Sequence, residues 1–392
     1  MRQPHQPHVE PGVTVENVAE LMRDNALQLI ARQQFHRTEG DADGHIFTRV
    51  AGGKRVDATL AVEHINLRHG QRGGDGHLLD DISQHHEAAG LSRRLYDLIA
   101  RPVDDFAAKQ HVQRLVLWLD GSLRYLPVAA LTDGRRFLGD KYVIQIYTPT
   151  PPDPPAHDGQ SVGAGLRREP ALVRGFGVTQ AFTGFSALPA VADELCYVVD
   201  GPITGLRTAS AACPTPSSGH GALTGDGFAD AAFTEQRFKE SLAAPRNFSV
   251  LHIGTHFRLR PGNALRSYLL LGDGSHLSLD EIGAMDFEGI DVVTLSACET
   301  GMGGAVSDDG REVEGLGALV QRRGAGLVIA SLWQVDDAST AQFMRALYRN
   351  FRASHGDAAF GLQQAQRALR ASAAYADPYY WAGFIVYGNR AR

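Results

Sequence analysis

Only three cysteines occur in the 392 residues, Cys196, Cys213 and Cys298, and no two form a C-x-x-C pair. That spacing excludes a zinc ribbon and a thioredoxin-type redox site. An odd, scattered set does not read as a disulfide framework either. Positive charge is not in surplus: 38 Lys and Arg stand against 44 Asp and Glu, a net charge of -6. A nucleic-acid backbone is therefore not expected as a direct partner. No apolar run reaches the roughly 18 residues of a membrane span. The opening Met1-Arg2-Gln3-Pro4-His5 is polar, with no apolar stretch of a secretory signal behind it. The expectation is a reduced, cytoplasmic chain without membrane contact. Phosphate loops are missing too. Gly52-Gly53-Lys54 lacks the upstream glycine and the following hydroxyl, and Gly315-Leu316-Gly317 lacks the third glycine of a dinucleotide fingerprint. No G-x-S-x-G nucleophile elbow occurs.

What is present is an ordinary globular composition, 43% hydrophobic and 21% charged, rich in glycine at 43 residues. Residues 15–33 carry apolar side chains at helical spacing, and a hairpin is expected over 46–50 and 55–60 around Gly52-Gly53. Residues 1–90 read as an N-terminal accessory or regulatory segment. From residue 91 the pattern changes. A helix is expected over 91–100, and Leu115–Leu119 is a continuous apolar run of the kind that forms a strand buried on both faces. Further strands are expected at 142–147 and 172–178, with helices at 188–198 and 234–242. Residues 148–169 read as a Pro/Gly-rich linker and 201–230 as a long mobile surface loop. Strands at 249–254, 291–296, 326–331 and 384–387 then alternate with helices at 314–323, 337–351 and 357–371. Such alternation predicts an α/β fold with a mostly parallel sheet. It divides the main domain, residues 91–392, into a first half at 91–165 and a second at 166–392.

Two reactive side chains sit just past the ends of successive core strands. His256 follows Val250-Leu-His-Ile-Gly-Thr255, and Cys298 follows Val292-Val-Thr-Leu-Ser-Ala297. The crevice beyond the carboxyl ends of the strands is where open α/β sheets bind ligands. If the two strands are neighbours, the imidazole can take the thiol proton and later protonate a leaving amine. A bland reading competes with this one, because a lone cysteine is usually buried core and a lone histidine a structural hydrogen-bonder.

The stretches Leu251-His-Ile-Gly-Thr-His256, Tyr268-Leu-Leu-Leu-Gly-Asp-Gly274, Leu295-Ser-Ala-Cys-Glu-Thr-Gly301, Ala330-Ser-Leu-Trp-Gln-Val-Asp-Asp337 and Pro378-Tyr-Tyr-Trp-Ala-Gly-Phe384 resemble the CHAT family of caspase- and separase-like cysteine peptidases. With Asp120-Gly-Ser-Leu-Arg-Tyr-Leu-Pro upstream, the resemblance covers residues 91–392. It implies a caspase-like α/β/α sandwich and a cysteine endopeptidase with His256 as general base and Cys298 as nucleophile. It also implies an oxyanion held by backbone N–H groups, no cofactor and no metal, and a protein substrate. A separate sensor or activator protein and a role in prokaryotic antiviral defence or programmed cell death belong to the same implication. The family's histidine is commonly followed by glycine. Here Phe257 follows, so the oxyanion donors would be the N–H groups of Phe257 and Cys298.

Other residues carry two readings. Asp336 and Asp337 open a helix, where aspartate is a favoured N-cap. As a pocket wall they would favour a basic side chain before the cut bond, as in separase-like relatives. Trp333 is either core or pocket wall, and Glu299 either orients the dyad or bonds within its turn. Residues 303–312 read as an exposed loop. His252 and His256 are four apart, which spans roughly 13 Å along a strand. They cannot share one zinc, and His252 reads as packed core. Two rival functions remain at this stage: a catalytically degenerate scaffold or interaction module, and a doubly wound nucleotide-binding protein.

Overall fold

The computed structural model describes residues 59–65, 89–119, 121–148, 170–206, 221–243, 245–260, 263, 266–296, 305–306, 312–313 and 315–389. Its strands are β1 (Thr59–Ile65), β2 (Arg114–Leu119), β3 (Val143–Tyr147), β4 (Val173–Gly177), β5 (Val199–Asp200), β6 (Ile203–Thr204), β7 (Leu223–Ala229) and β8 (Val250–Gly254). They continue with β9 (Phe257–Arg258), β10 (Tyr268–Leu270), β11 (His276–Ser278), β12 (Val292–Ser296), β13 (Ala305–Val306), β14 (Glu312–Val313), β15 (Leu327–Ser331) and β16 (Phe384–Gly388). The α-helices are α1 (Ala89–Leu95), α2 (Arg101–Lys109), α3 (Leu138–Lys141), α4 (Ala190–Val198), α5 (Glu235–Leu242), α6 (Leu279–Gly283), α7 (Leu316–Arg322), α8 (Asp337–Ala353), α9 (Ala358–Arg370) and α10 (Pro378–Trp381).

Eleven strands form the main sheet in the order β1-β2-β3-β16-β15-β12-β8-β4-β7-β5, with β6 also on β7. Every pairing is parallel except β15 with β16. The expected α/β class with a mostly parallel sheet is what the chain adopts. The apolar runs explain the sheet's centre: each residue of β8, β12, β15 and β16 is buried, as strands covered on both faces require. Alternation along β4 sorts the two helix layers. On one face Gly175 and Gly177 lie under Leu195 and Val191 of α4. On the other, Phe176 packs edge-on against Phe238 of α5 at 5.1 Å. α8 packs on α4 and on α9, and α7 on β15.

The expected helix over 91–100 extends further. It passes through a π turn (Tyr96–Ala100) into α2 with Pro102 in the first turn of the new segment, the helical position where a missing N–H is tolerated. Residues 201–230 need correction. The described parts supply β6 and β7, and β7 lies inside the sheet between β4 and β5. Its glycines look like loop composition but serve the ladder: a Cβ on Gly225 would fall 1.8 Å from the Val173 carbonyl oxygen. Residues 303–312 are also not wholly loop, since β13 and β14 pair antiparallel. The helix expected over 15–33 and the first arm of the hairpin lie outside the described residues. Thr59–Ile65 pairs parallel with β2 at the sheet edge.

Candidate active site

The strands that precede His256 and Cys298 are neighbours. β8 and β12 pair parallel, with Gly254 opposite Ser296. His256 stands two residues past Gly254, and Cys298 is two residues past Ser296 in the sequence. Cys298 and Glu299 themselves lie outside the described residues. Cys196, buried in α4 at 1% exposure, is disulfide-bonded. The expectation of fully reduced thiols is corrected at this residue.

His256 is 7% exposed. Its Nε2 lies 2.8 Å from the carbonyl oxygen of Ser186, and its ring is 5.1 Å from that of Phe185. A carbonyl oxygen only accepts, so Nε2 carries the proton of the neutral ring and donates. Nδ1 is then the nitrogen left free to take a proton. Burial holds the imidazole below its ordinary range, and the neighbouring Arg258 guanidinium adds to this, against the opposing hydrogen bond to Ser186. At neutral pH the ring is therefore an uncharged base. No motif could have announced Ser186, because its contribution is a main-chain oxygen in the loop between β4 and α4.

Phe257 is 5% exposed and opens the short sheet β11-β10-β9, in which β9 is an edge. It pairs with Leu269, while the N–H of Leu270 donates to the His256 carbonyl at 2.9 Å. In an antiparallel ladder, hydrogen-bonded and non-bonded pairs alternate. Phe257 is thus in a non-bonded pair and its N–H points away from β10. The side chain goes inward to the core, and the backbone does not adopt positive φ there.

Beneath this rim lies a buried polar set. His252 on β8 and Glu194 on α4 are 0% and 1% exposed, with His252 Nε2 2.9 Å from Glu194 Oε1. His252 Nδ1 is 3.1 Å from the Tyr348 hydroxyl of α8, which donates to Thr294 Oγ1 of β12 at 2.8 Å. His252 is core, as read, but polar core. The remaining expected residues separate. Trp333 is 3% exposed, and its indole N–H donates to the Tyr379 carbonyl at 3.1 Å. Asp336 caps α8 by accepting from Ser339 N–H at 2.8 Å. Asp337 accepts from Ala190 N–H at the start of α4, at 2.8 Å. Burial pushes its carboxyl up to about 6, with Glu194, Asp336 and Asp193 adding to the rise.

Among the described residues no cluster of three or more His, Cys, Asp or Glu could hold a metal, and no helix is long and apolar enough to cross a membrane.

Solved structures similar to the chain include the Arg-specific cysteine proteinase gingipain R, with TM-score 0.41, 9% identity, and coverage of 81% of this chain and 74% of that one. A complex of the pro- and mature domains of RgpB from Porphyromonas gingivalis gives TM-score 0.42 and 10% identity, with 81% and 75% covered. Saccharomyces cerevisiae separase in complex with securin gives TM-score 0.43 and 12% identity, with 75% of this chain but 17% of that one covered. No curated protein sequence matches the chain. The model of the CHAT domain matches residues 90–389, and the chain belongs to the CHAT domain family.

Proposed function

We propose that the chain is a cysteine endopeptidase that cuts a protein substrate with His256 as base and Cys298 as nucleophile. The observation that carries this reading is the β8–β12 register. It sets Gly254 against Ser296, so the two reactive residues follow matched positions on strands about 4.8 Å apart.

In the proposed cycle, Nδ1 of His256 takes the Cys298 thiol proton and the thiolate attacks the scissile carbonyl carbon. The negative charge that develops on the carbonyl oxygen is met by the N–H groups of Phe257 and Cys298. The tetrahedral adduct collapses as the C–N bond breaks. The amine leaves with the proton returned by the imidazolium, and an acyl-enzyme thioester remains. Water, deprotonated by the same imidazole, attacks the thioester and releases the acid and the thiol. The Ser186 carbonyl holds the ring in one tautomer throughout. A setting in prokaryotic defence, with an activator protein, is part of the same proposal.

The test is labelling with a small peptidyl acyloxymethyl ketone, read by intact mass, on wild type, Cys298→Ala and His256→Ala. A single adduct on wild type, absent from Cys298→Ala and at least tenfold slower in His256→Ala, is the expected result. Equal labelling of all three overturns the proposal in favour of a non-catalytic scaffold.

A further inference from the structure

On the same rim as His256, further along the sheet, three guanidinium groups converge on a single residue. β3 runs antiparallel to β15, through β16. Its N-terminal end, where α3 sits, therefore lies at the edge that carries the carboxyl ends of β8, β12 and β15. Three strand spacings separate β3 from β12, about 14 Å. Here Arg136 donates to the Asp140 carbonyl oxygen at 2.9 Å, and Arg367 of α9 donates to that same oxygen at 2.5 Å. Arg370 pairs with the Asp140 carboxylate and lies over the Phe137 ring, 5.3 Å from its centroid.

Among the described residues, Arg370 is the one of the three whose guanidinium is ion-paired with a carboxylate. Arg136 and Arg367 each give one N–H to a neutral carbonyl oxygen, and two cations sharing one oxygen repel each other. The guanidinium of Arg367 is held below its ordinary range by burial; the Asp140 carboxylate opposes this, and the charges of Arg136 and Arg370 add to it. The neighbouring acids do not cancel the excess. Asp133 and Asp104 both bind Lys141, and Asp133 also accepts the backbone N–H groups of Arg135 and Arg136. Among the side chains joined by these contacts, the four cations Arg136, Arg367, Arg370 and Lys141 face the three carboxylates of Asp104, Asp133 and Asp140, a positive excess in a chain whose net charge is -6. Capping the last carbonyls of α3 accounts for one N–H of each arginine. It does not require two guanidinium groups, since neutral amides do the same: Gln363 donates to the Gly139 carbonyl at 2.9 Å.

We propose that Arg136 and Arg367 form a binding site for a phosphate-type oxyanion, free or as the phosphoryl group of a small ester, on the rim beside the catalytic strands. A guanidinium offers parallel N–H donors that match phosphate oxygens. The site does not depend on peptidase activity, so its test stands apart from labelling at Cys298.

The experiment is thermal melting and titration calorimetry of the full chain with sodium phosphate and with adenosine monophosphate, at ionic strength matched with sodium chloride. Wild type is compared with Arg136→Gln, Arg367→Gln and, as a control on α8, Arg352→Gln. The glutamines keep a donor for the Asp140 carbonyl and remove the charge. Expected is a saturable rise of the wild-type midpoint by a few degrees at about 100 times Kd. Arg352→Gln should share it, and binding to the two rim variants should weaken at least tenfold. Tighter binding of the ester than of phosphate assigns the site to an esterified ligand, and equal binding to free phosphate. An absent or unsaturable shift, or equal affinity in all variants, overturns the proposal.

Discussion

Tyr348 of α8 donates its hydroxyl to Thr294 of β12 at 2.8 Å, and the same oxygen stands 3.1 Å from His252 of β8. One helix side chain thereby ties together the two strands that lead to His256 and Cys298. Tyr348→Phe keeps the ring in its fully buried place and strands Thr294 Oγ1 and His252 Nδ1 without that partner. The expected cost is about 1–3 kcal/mol, read as a lower denaturation midpoint with an unchanged m-value. A midpoint equal to wild type would show that the hydroxyl does not hold the strands.

For a histidine acting as base, the active form is the unprotonated one. It is present above its pKa and is lost as pH falls through it. Because burial and then Arg258 hold His256 below the ordinary 6.5, the acid limb of adduct formation should inflect below pH 6.5. Arg258→Gln removes the second cause, so its limb should move to higher pH. A limb that stays put would show that the guanidinium does not act on the ring.

Asp337 behaves in the opposite sense to a paired carboxylate. Its folded pKa, about 6, lies above the ordinary 3.8 of an aspartate. Between these values the native state binds the extra proton, so folding stability falls as pH rises from about 4 to 6. Asp337→Asn keeps an acceptor for Ala190 N–H and removes the titration. The variant should lose this slope and gain on the order of 1–2 kcal/mol at pH 7, after allowance for solvent screening. Chemical melts at pH 4, 5, 6 and 7 measure it, and parallel curves for variant and wild type would refute the assignment.

Gly225→Ala should not give a folded chain. The added methyl would meet the Val173 carbonyl oxygen at 1.8 Å, and that oxygen belongs to the ladder between β4 and β7. Expression with circular dichroism decides this. A soluble variant melting like wild type would mean that β7 sits differently.

The sequence showed the sheet where burial is two-sided. Runs such as Leu327–Ser331 have no polar alternation to confuse, and each became a strand inside the sheet. β7 escaped notice because Gly225 and Gly227 serve close backbone approach, which in composition looks like a turn. β9, β10 and β11 are two or three residues each, too short for a period. At the site, His256 could be read from its place after a strand. Ser186 could not, since a carbonyl oxygen is common to every residue and only the fold puts this one 2.8 Å from an imidazole. Asp336 was legible as an N-cap, whereas the contact of Asp337 with Ala190 spans 147 residues.

The place of β16 has a consequence for synthesis. Phe384–Gly388 emerges from the ribosome later than every other described strand, yet it lies in the middle of the sheet, joining β3 on one side to β15 on the other. Until it inserts, the nascent chain holds two open-edged fragments, β1–β3 and the group from β4 to β15. The neighbours of β8 and β12 can therefore lock only after translation of this segment. A chain arranged in this way has no finished sheet while it is still being made, and one cut short before Phe384 would leave two unpaired strand edges exposed to aggregation.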